Sequence, residues 1–420
     1  MRQSQLFTKT TKDISKDEVS KNAQFLTRAG FVHQLMAGVY TFLPLGLRVL
    51  NKIENIIREE MNKIGGQEVL MPALQPRDIW DKTGRWDSVD VLFKLKGAGD
   101  RDLALGPTHE EVVTPLGGQF IQSYKDMPFT AYQVQTKFRN EARAKSGLLR
   151  GREFRMKDMY SFHTTQDCLD KFYDKAIQAY LNIYARMGLG DKTVLTYASG
   201  GMFAKYSHEF QTITDSGEDI VYLIPGTHTA INKEIIDDKD ALKDIIPNYK
   251  DGDENKLETV KAIEVGNIFK LGTRFSESCD VTYQDENGEQ KIPVMGCYGI
   301  GPSRMMGTIA ETLSDEQGLV WPKEIAPFDV HLVSLAHEED DIAQADTVYH
   351  TLSAHFEVLY DDRVDMRAGA KMADADLIGI PHRVVVSKKT IADGVVEWKE
   401  RTSPQAITLS LTDLIAKLKG

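Results

Sequence analysis

The sequence predicts a first region of helices and strands followed by a separate α/β domain of about a hundred residues. Three observations carry this. A long amphipathic helix over 46–64 runs through Gly65-Gly66 into a short strand. A basic stretch, 137–157, has extended elements at both ends. Beyond Pro322 and Pro327, apolar runs of strand composition alternate with helical ones. At 420 residues the chain is too long for one ordinary core, so two or three domains are expected.

In the first helix Leu47, Leu50, Ile53, Ile57 and Met61 form one stripe, and the glycine pair supplies the left-handed cap. A strand over 68–71 then stops at Pro72. A second helix is predicted over 169–187, with Leu169, Phe172, Tyr173, Ala176, Tyr180, Tyr184 and Met187 in register; its aromatic stripe reads as core. From 223 to 262 the chain turns acidic and poor in aromatics, which suggests a small insertion or a mobile surface lobe. In the last part, FDVHLVSLA, FEVLYDD, HRVVVSKK and VVEWKER read as strands, with helices near 339–355, 368–378 and the end of the chain.

Composition limits the function. With 51 Lys+Arg against 62 Asp+Glu the formal charge is -11, which argues against general adhesion to nucleic acid or anionic membrane. Any polyanion must be held locally. Cys168, Cys279 and Cys297 are odd in number and far apart, so a reducing compartment is expected rather than a disulfide framework. No apolar run reaches spanning length, and the N-terminus lacks a signal core, so a cytoplasmic protein without membrane partners is expected. There is no Gly-Lys pair for a Walker loop, no GxSxG elbow, and no second His beside the His-Glu pairs.

Three clusters remain. In 137–157, eight side chains are Lys or Arg and two are Glu. A strand–loop–strand hairpin there brings Arg139, Arg150 and Arg152 near one cleft. It is either a phosphate site, with Phe154 offering a ring to a base, or a solvated charged hairpin. In LGPTHEE, 105–111, Thr108 and Glu110 on an extended segment point the same way and can hold an ammonium group. The same residues also read as a capping box from Thr108 to Glu111. In 295–311, a glycine-rich strand precedes a helix with Arg304 on its first turn, either for a polyphosphate or as a packed turn; Cys297 alone reads as a small buried residue.

Taken together, these residues resemble the class II aminoacyl-tRNA synthetases, and among them the prolyl-tRNA synthetase family. The long helix and strand of 46–72, Arg139 with Glu141 and Phe154, and Gly299, Gly301 and Arg304 match that class's three motifs in order. GPTHEE, FRMKDMYSFH, SHEFQ, KAIEVGNIF, MGCYGIG and LIGIPHRVVV match the prolyl enzymes over nearly the whole chain. The resemblance implies an α+β catalytic domain, an antiparallel sheet flanked by helices, in parts 1–222 and 263–325, and an α/β anticodon-binding domain at 326–420. It implies ATP, L-proline and tRNA(Pro) as partners, Mg²⁺ on the ATP phosphates with ligands unassigned, and a homodimer. It assigns Arg139, Glu141, Arg150, Arg152, Phe154 and Arg304 to ATP, with Arg139 and Arg304 catalytic. Thr108, Glu110, Arg139, His208, Phe210 and Cys297 fall to proline, and Arg363, Arg367 and Lys371 to the anticodon. Two departures stand out. Only the acidic 223–262 segment occupies the place where bacterial members often carry a large editing domain. GGMFAKY replaces the usual glycine-serine run before SHEF, and Asn267 stands in VGNIF.

Overall fold

The computed structural model describes residues 1–12, 19–200 and 206–419. Two compact units form, one from 36–39 with 53–308, the other from 1–35, 40–52 and 309–420.

The larger unit is built on a nine-stranded, mainly antiparallel sheet. Its organising strand, Glu258–Gly272, pairs with Asp219–Leu223 along one half. Its other half pairs with Tyr206–Ile213 on one side and Val294–Ile300 on the other. Val294–Ile300 pairs with Glu153–His163, which pairs in turn with Phe129–Phe138 over its whole length. Helix Gln166–Arg186 packs on this sheet and buries Tyr173, Tyr180 and Tyr184, as its aromatic stripe predicts. Thr165 caps it, accepting a hydrogen bond from Cys168 N–H.

The helix expected over 46–64 spans Pro44–Lys63, with proline in the first turn, where its missing N–H costs nothing. Leu50, Ile53, Ile57 and Met61 are buried as the stripe requires, but Leu47 is 47% exposed. Gly65 follows at φ 90°, the left-handed cap. The strand beyond it is Gly66–Glu68, earlier than expected, because its partner is the start of Phe129–Phe138.

The acidic 223–262 segment is folded. Thr229–Asn232 joins the sheet beside Thr193–Ser199, and Ile224, Ile231, Ile235, Ile236 and Leu242 form a small core under helix Lys239–Ile245. Its charges lie outside that apolar set, which composition alone could not separate.

In the second unit a five-stranded sheet runs in the order Val358–Asp361, Val330–Ser334, His382–Val386, Val396–Glu400, Ile407–Leu409, its first three strands parallel. Helices Glu339–Ser353, Ala368–Ile378 and Leu411–Lys419 complete the expected α/β pattern. The first residues of the chain belong to this unit. Arg2 bridges to Tyr360 on the edge strand and pairs with Asp346 (2.9 Å) and Asp362 (3.2 Å). Thr10 donates to Asp374 at 2.7 Å.

Candidate active site

A cavity of about 600 Å³ opens within the larger unit. Period-two geometry builds one wall: Phe154, Met156, Asp158 and Tyr160 alternate along Glu153–His163 and all face it. Gly299 and Gly301 line another part and put no side chain into it.

Arg139 follows strand Phe129–Phe138, and its N–H donates to Arg152 O at 2.8 Å, closing the base of the 139–152 loop. Its guanidinium lies over the Phe154 ring at 5.3 Å. Among the described residues it makes no side-chain ion pair, so it faces the cavity uncommitted. Burial pushes its pKa down, and Glu264 and Glu141 oppose that shift. Glu141 Oε2 accepts from Arg150 Nε (3.0 Å) and Nη2 (2.8 Å). Arg304, on the first turn of helix Pro302–Leu313, pairs with Glu264 at 3.3 Å. These groups, far apart in sequence, line one cavity.

Thr108 and Glu110 meet differently from the extended arrangement expected. Helix Glu110–Gly118 begins at Glu110 with His109 as its N-cap residue, so the Thr108–Glu111 capping box does not form. Thr108 Oγ1 instead donates to Glu110 Oε2 at 2.5 Å, and the Cys297 thiol reaches Glu110 Oε1 at 3.5 Å. Burial pushes the Cys297 thiol well up, so it stays protonated and acts as a small wall. Arg85, which sequence reasoning missed, lines the same cavity and pairs with Glu110 (3.4 Å) and Glu111 (2.8 Å). Burial raises Glu111 to about 7 against the pull of Arg85.

Three expected ligands lie elsewhere. Arg152 donates to Glu141 O (2.9 Å) and Ala37 O (3.1 Å), stapling the loop instead of lining the cavity. His208 and Phe210 face helix Gln166–Arg186: the His208 ring sits against Tyr173 and Tyr197, and Phe210 is fully buried between Tyr180 and Tyr184. The reason is parity: two residues apart on a strand share a face, and here that face is the helix side. Intervening Glu209 points the other way, and Gln211 donates to both it and Asp219, a cavity residue. Residues 201–205 of GGMFAKY lie outside the described residues.

In the C-terminal unit, Arg363 is held by Asp361 (2.7 Å) and Asp374 (2.9 Å), and Lys371 is buried, donating to Ser334 O at 2.6 Å. Only Arg367, at the N-cap of Ala368–Ile378, is exposed. The three do not form one basic surface, because Asp361 draws two of them inward.

Among the described residues no cluster of three or more His, Cys, Asp or Glu could hold a metal ion alone, and no helix is long and apolar enough to cross a membrane.

The tRNA synthetase class II core domain (G, H, P, S and T) matches residues 93–313, and the anticodon binding domain matches 329–420. The chain therefore belongs to the class II aminoacyl-tRNA synthetases. Proline--tRNA ligases from Geobacillus sp. (strain WCH70) and Listeria monocytogenes serotype 4b are each 37% identical, across 100% of this chain and 99% of theirs. Within the class it belongs to the proline--tRNA ligase family. The Geobacillus alignment runs over 565 positions against 420 residues here, so at least 145 of them have no counterpart in this shorter form. The fold is that of the Giardia lamblia prolyl-tRNA synthetase solved with prolyl-adenylate (TM-score 0.77, 20% identity, 94% of this chain and 75% of that one). It is also that of the Cryptosporidium parvum enzyme solved with L-proline and AMP (TM-score 0.74, 18% identity, 95% and 74%).

Proposed function

We infer that this chain attaches L-proline to tRNA(Pro) in two steps, forming prolyl-adenylate and diphosphate from proline and ATP, then passing the prolyl group to the terminal ribose and releasing AMP. The observation that supports the site assignment is the convergence of Arg139 and Arg304 on one cavity whose wall also holds the Thr108–Glu110 pair.

Proline's carboxylate is ionised near neutral pH, so no protein base is needed for the first step. Catalysis then rests on placement and on neutralising charge at the α-phosphorus. Arg139 serves the α-phosphate and Arg304 the far end of the triphosphate. Phe154 offers a face to adenine. Arg150 uses only Oε2 of Glu141, which leaves Oε1 to accept from the adenine amino group. Thr108 and Glu110 take the secondary ammonium, with Cys297 as a wall.

The cavity is not net basic: Arg85, Arg139, Arg150 and Arg304 face Glu110, Glu141, Asp158, Glu218, Asp219 and Glu264. A triphosphate entering it needs further positive charge. Mg²⁺ on the phosphates would supply that charge, and Glu264 and Asp219 are the wall carboxylates that would hold it, since Mg²⁺ is usually held by one or two carboxylates plus phosphates and water.

A homodimer in the cytoplasm completes the reading. Leu70 and Leu74, 76% and 50% exposed just beyond the strand after the long helix, give such a dimer an apolar contact. The test is amino-acid-dependent exchange of diphosphate into ATP across all twenty amino acids. Proline should dominate; preference for another amino acid, or no exchange, overturns the reading.

A further inference from the structure

Beside Thr108 and Glu110, and reaching the cavity wall through Asp158 and Tyr160, lies an ionic cluster that the reaction above leaves without a task. Lys137, two residues before Arg139, is fully buried. Its Nζ pairs with Asp158 Oδ1 at 2.8 Å and bonds His109 Nδ1. His109 Nε2 lies 3.0 Å from Pro72 O, a carbonyl that can only accept, so Nε2 carries the ring proton and Nδ1 accepts from Lys137. Burial, then the Lys137 charge, pushes the His109 pKa down to about 4, so the ring is neutral. Asp158 Oδ2 accepts from Tyr160 O–H at 2.9 Å and from Gln133 at 3.1 Å. The Tyr160 oxygen in turn accepts the His109 backbone N–H at 3.0 Å.

The donors therefore run one way, from His109 N–H to Tyr160 to Asp158, with Lys137 neutralising the end. His109 is fixed at its backbone and at both ring nitrogens. Its neighbours on either side are Thr108 and Glu110. The cation that grips its ring stands on the strand that leads to Arg139. We propose that Lys137, Asp158 and Tyr160, acting through His109 and through the 3.4 Å contact of the Tyr160 hydroxyl with Thr108 Oγ1, are positioning residues that set the aim of the Thr108–Glu110 slot relative to Arg139, and so govern the affinity for the amino acid. The proposal rests on the reading of that slot given above.

A purely structural cluster would affect stability and both substrates alike; a positioning network should separate them. In diphosphate exchange with the full chain, Tyr160→Phe removes one oxygen and frees His109 N–H. The KM for proline should rise about tenfold, the equivalent of one buried hydrogen bond, while the KM for ATP stays within about twofold. The uncharged double variant Lys137→Met/Asp158→Asn should shift the same constant in the same direction. An unchanged proline KM in folded Tyr160→Phe, or equal rises for both substrates, overturns the proposal alone. Failure of both variants to fold makes the cluster structural and overturns it too. Absence of proline-dependent exchange in the wild type overturns the slot reading, and this proposal with it.

Discussion

Replacing Arg139 by Ala separates chemistry from stability unusually well. The guanidinium has no side-chain ion pair among the described residues, and Glu264 keeps Arg304 at 3.3 Å when Arg139 is gone. What the free protein loses is the contact with the Phe154 ring at 5.3 Å, about 0.5–1 kcal/mol for a partly exposed site. The melting temperature should move by no more than a few degrees. At the reaction centre the loss is larger. One preorganised donor to developing negative charge contributes about 2.7–4 kcal/mol, or roughly 10²–10³ in rate, and a two-pronged guanidinium more. Arg139→Lys restores the charge without the fork and should recover only part of the rate. The assay is proline-dependent diphosphate exchange at saturating substrates, paired with thermal melts of the same samples. Near wild-type exchange in Arg139→Ala, or a loss that tracks unfolding, refutes the assignment.

Three more outcomes are expected. Burial and the nearby Glu264 raise Glu209 to about 7 from 4.5, so its folded form keeps a proton that the unfolded chain has released; wild-type stability should fall as pH rises through this window. Glu209→Gln should therefore gain in melting temperature over wild type from pH 5 to pH 8, and a constant difference would contradict the shift. Arg363→Met breaks a largely buried pair with Asp361, which costs about 3–5 kcal/mol, so melting should drop by several degrees with little change in the KM for tRNA; the reverse pattern would return Arg363 to the anticodon surface. A slot that excludes larger side chains rejects alanine by only about 1–3 kcal/mol, so purified enzyme should make some alanyl-tRNA and leave it intact, as followed by deacylation of the isolated product.

Local pattern revealed much of this. The helix of 44–63, the hairpin around 139–152 and the C-terminal alternation of strands and helices each follow from spacing within a short window. Phe154, Arg139 and Arg150 come together because one hairpin carries all three. Asp158 and Tyr160 were legible in principle, since every second residue from Phe154 faces the cavity. Arg85 and Glu264 were not, because each reaches the site through strand and helix packing that no local period encodes. The basic stretch also misleads: Lys137 and Lys157 look like solvent or phosphate groups, yet both are fully buried. Lys157 donates to Tyr180 (2.6 Å) and Tyr298 O (3.1 Å), and burial lowers its pKa to about 7. Charge alone cannot distinguish a cation with an internal partner from one awaiting a ligand.

The bridge from Arg2 to Tyr360 bears on how this chain can be dissected. A fragment cut at the sequence boundary near residue 329 would leave the Val358–Asp361 border strand unshielded, and strip Asp346, Asp362 and Asp374 of Arg2 and Thr10. Such a fragment should stick to itself unless a peptide copying residues 1–12 is added back. The two ends of the polypeptide thus pack into one unit, and a scissor line drawn from the linear order would pass through it.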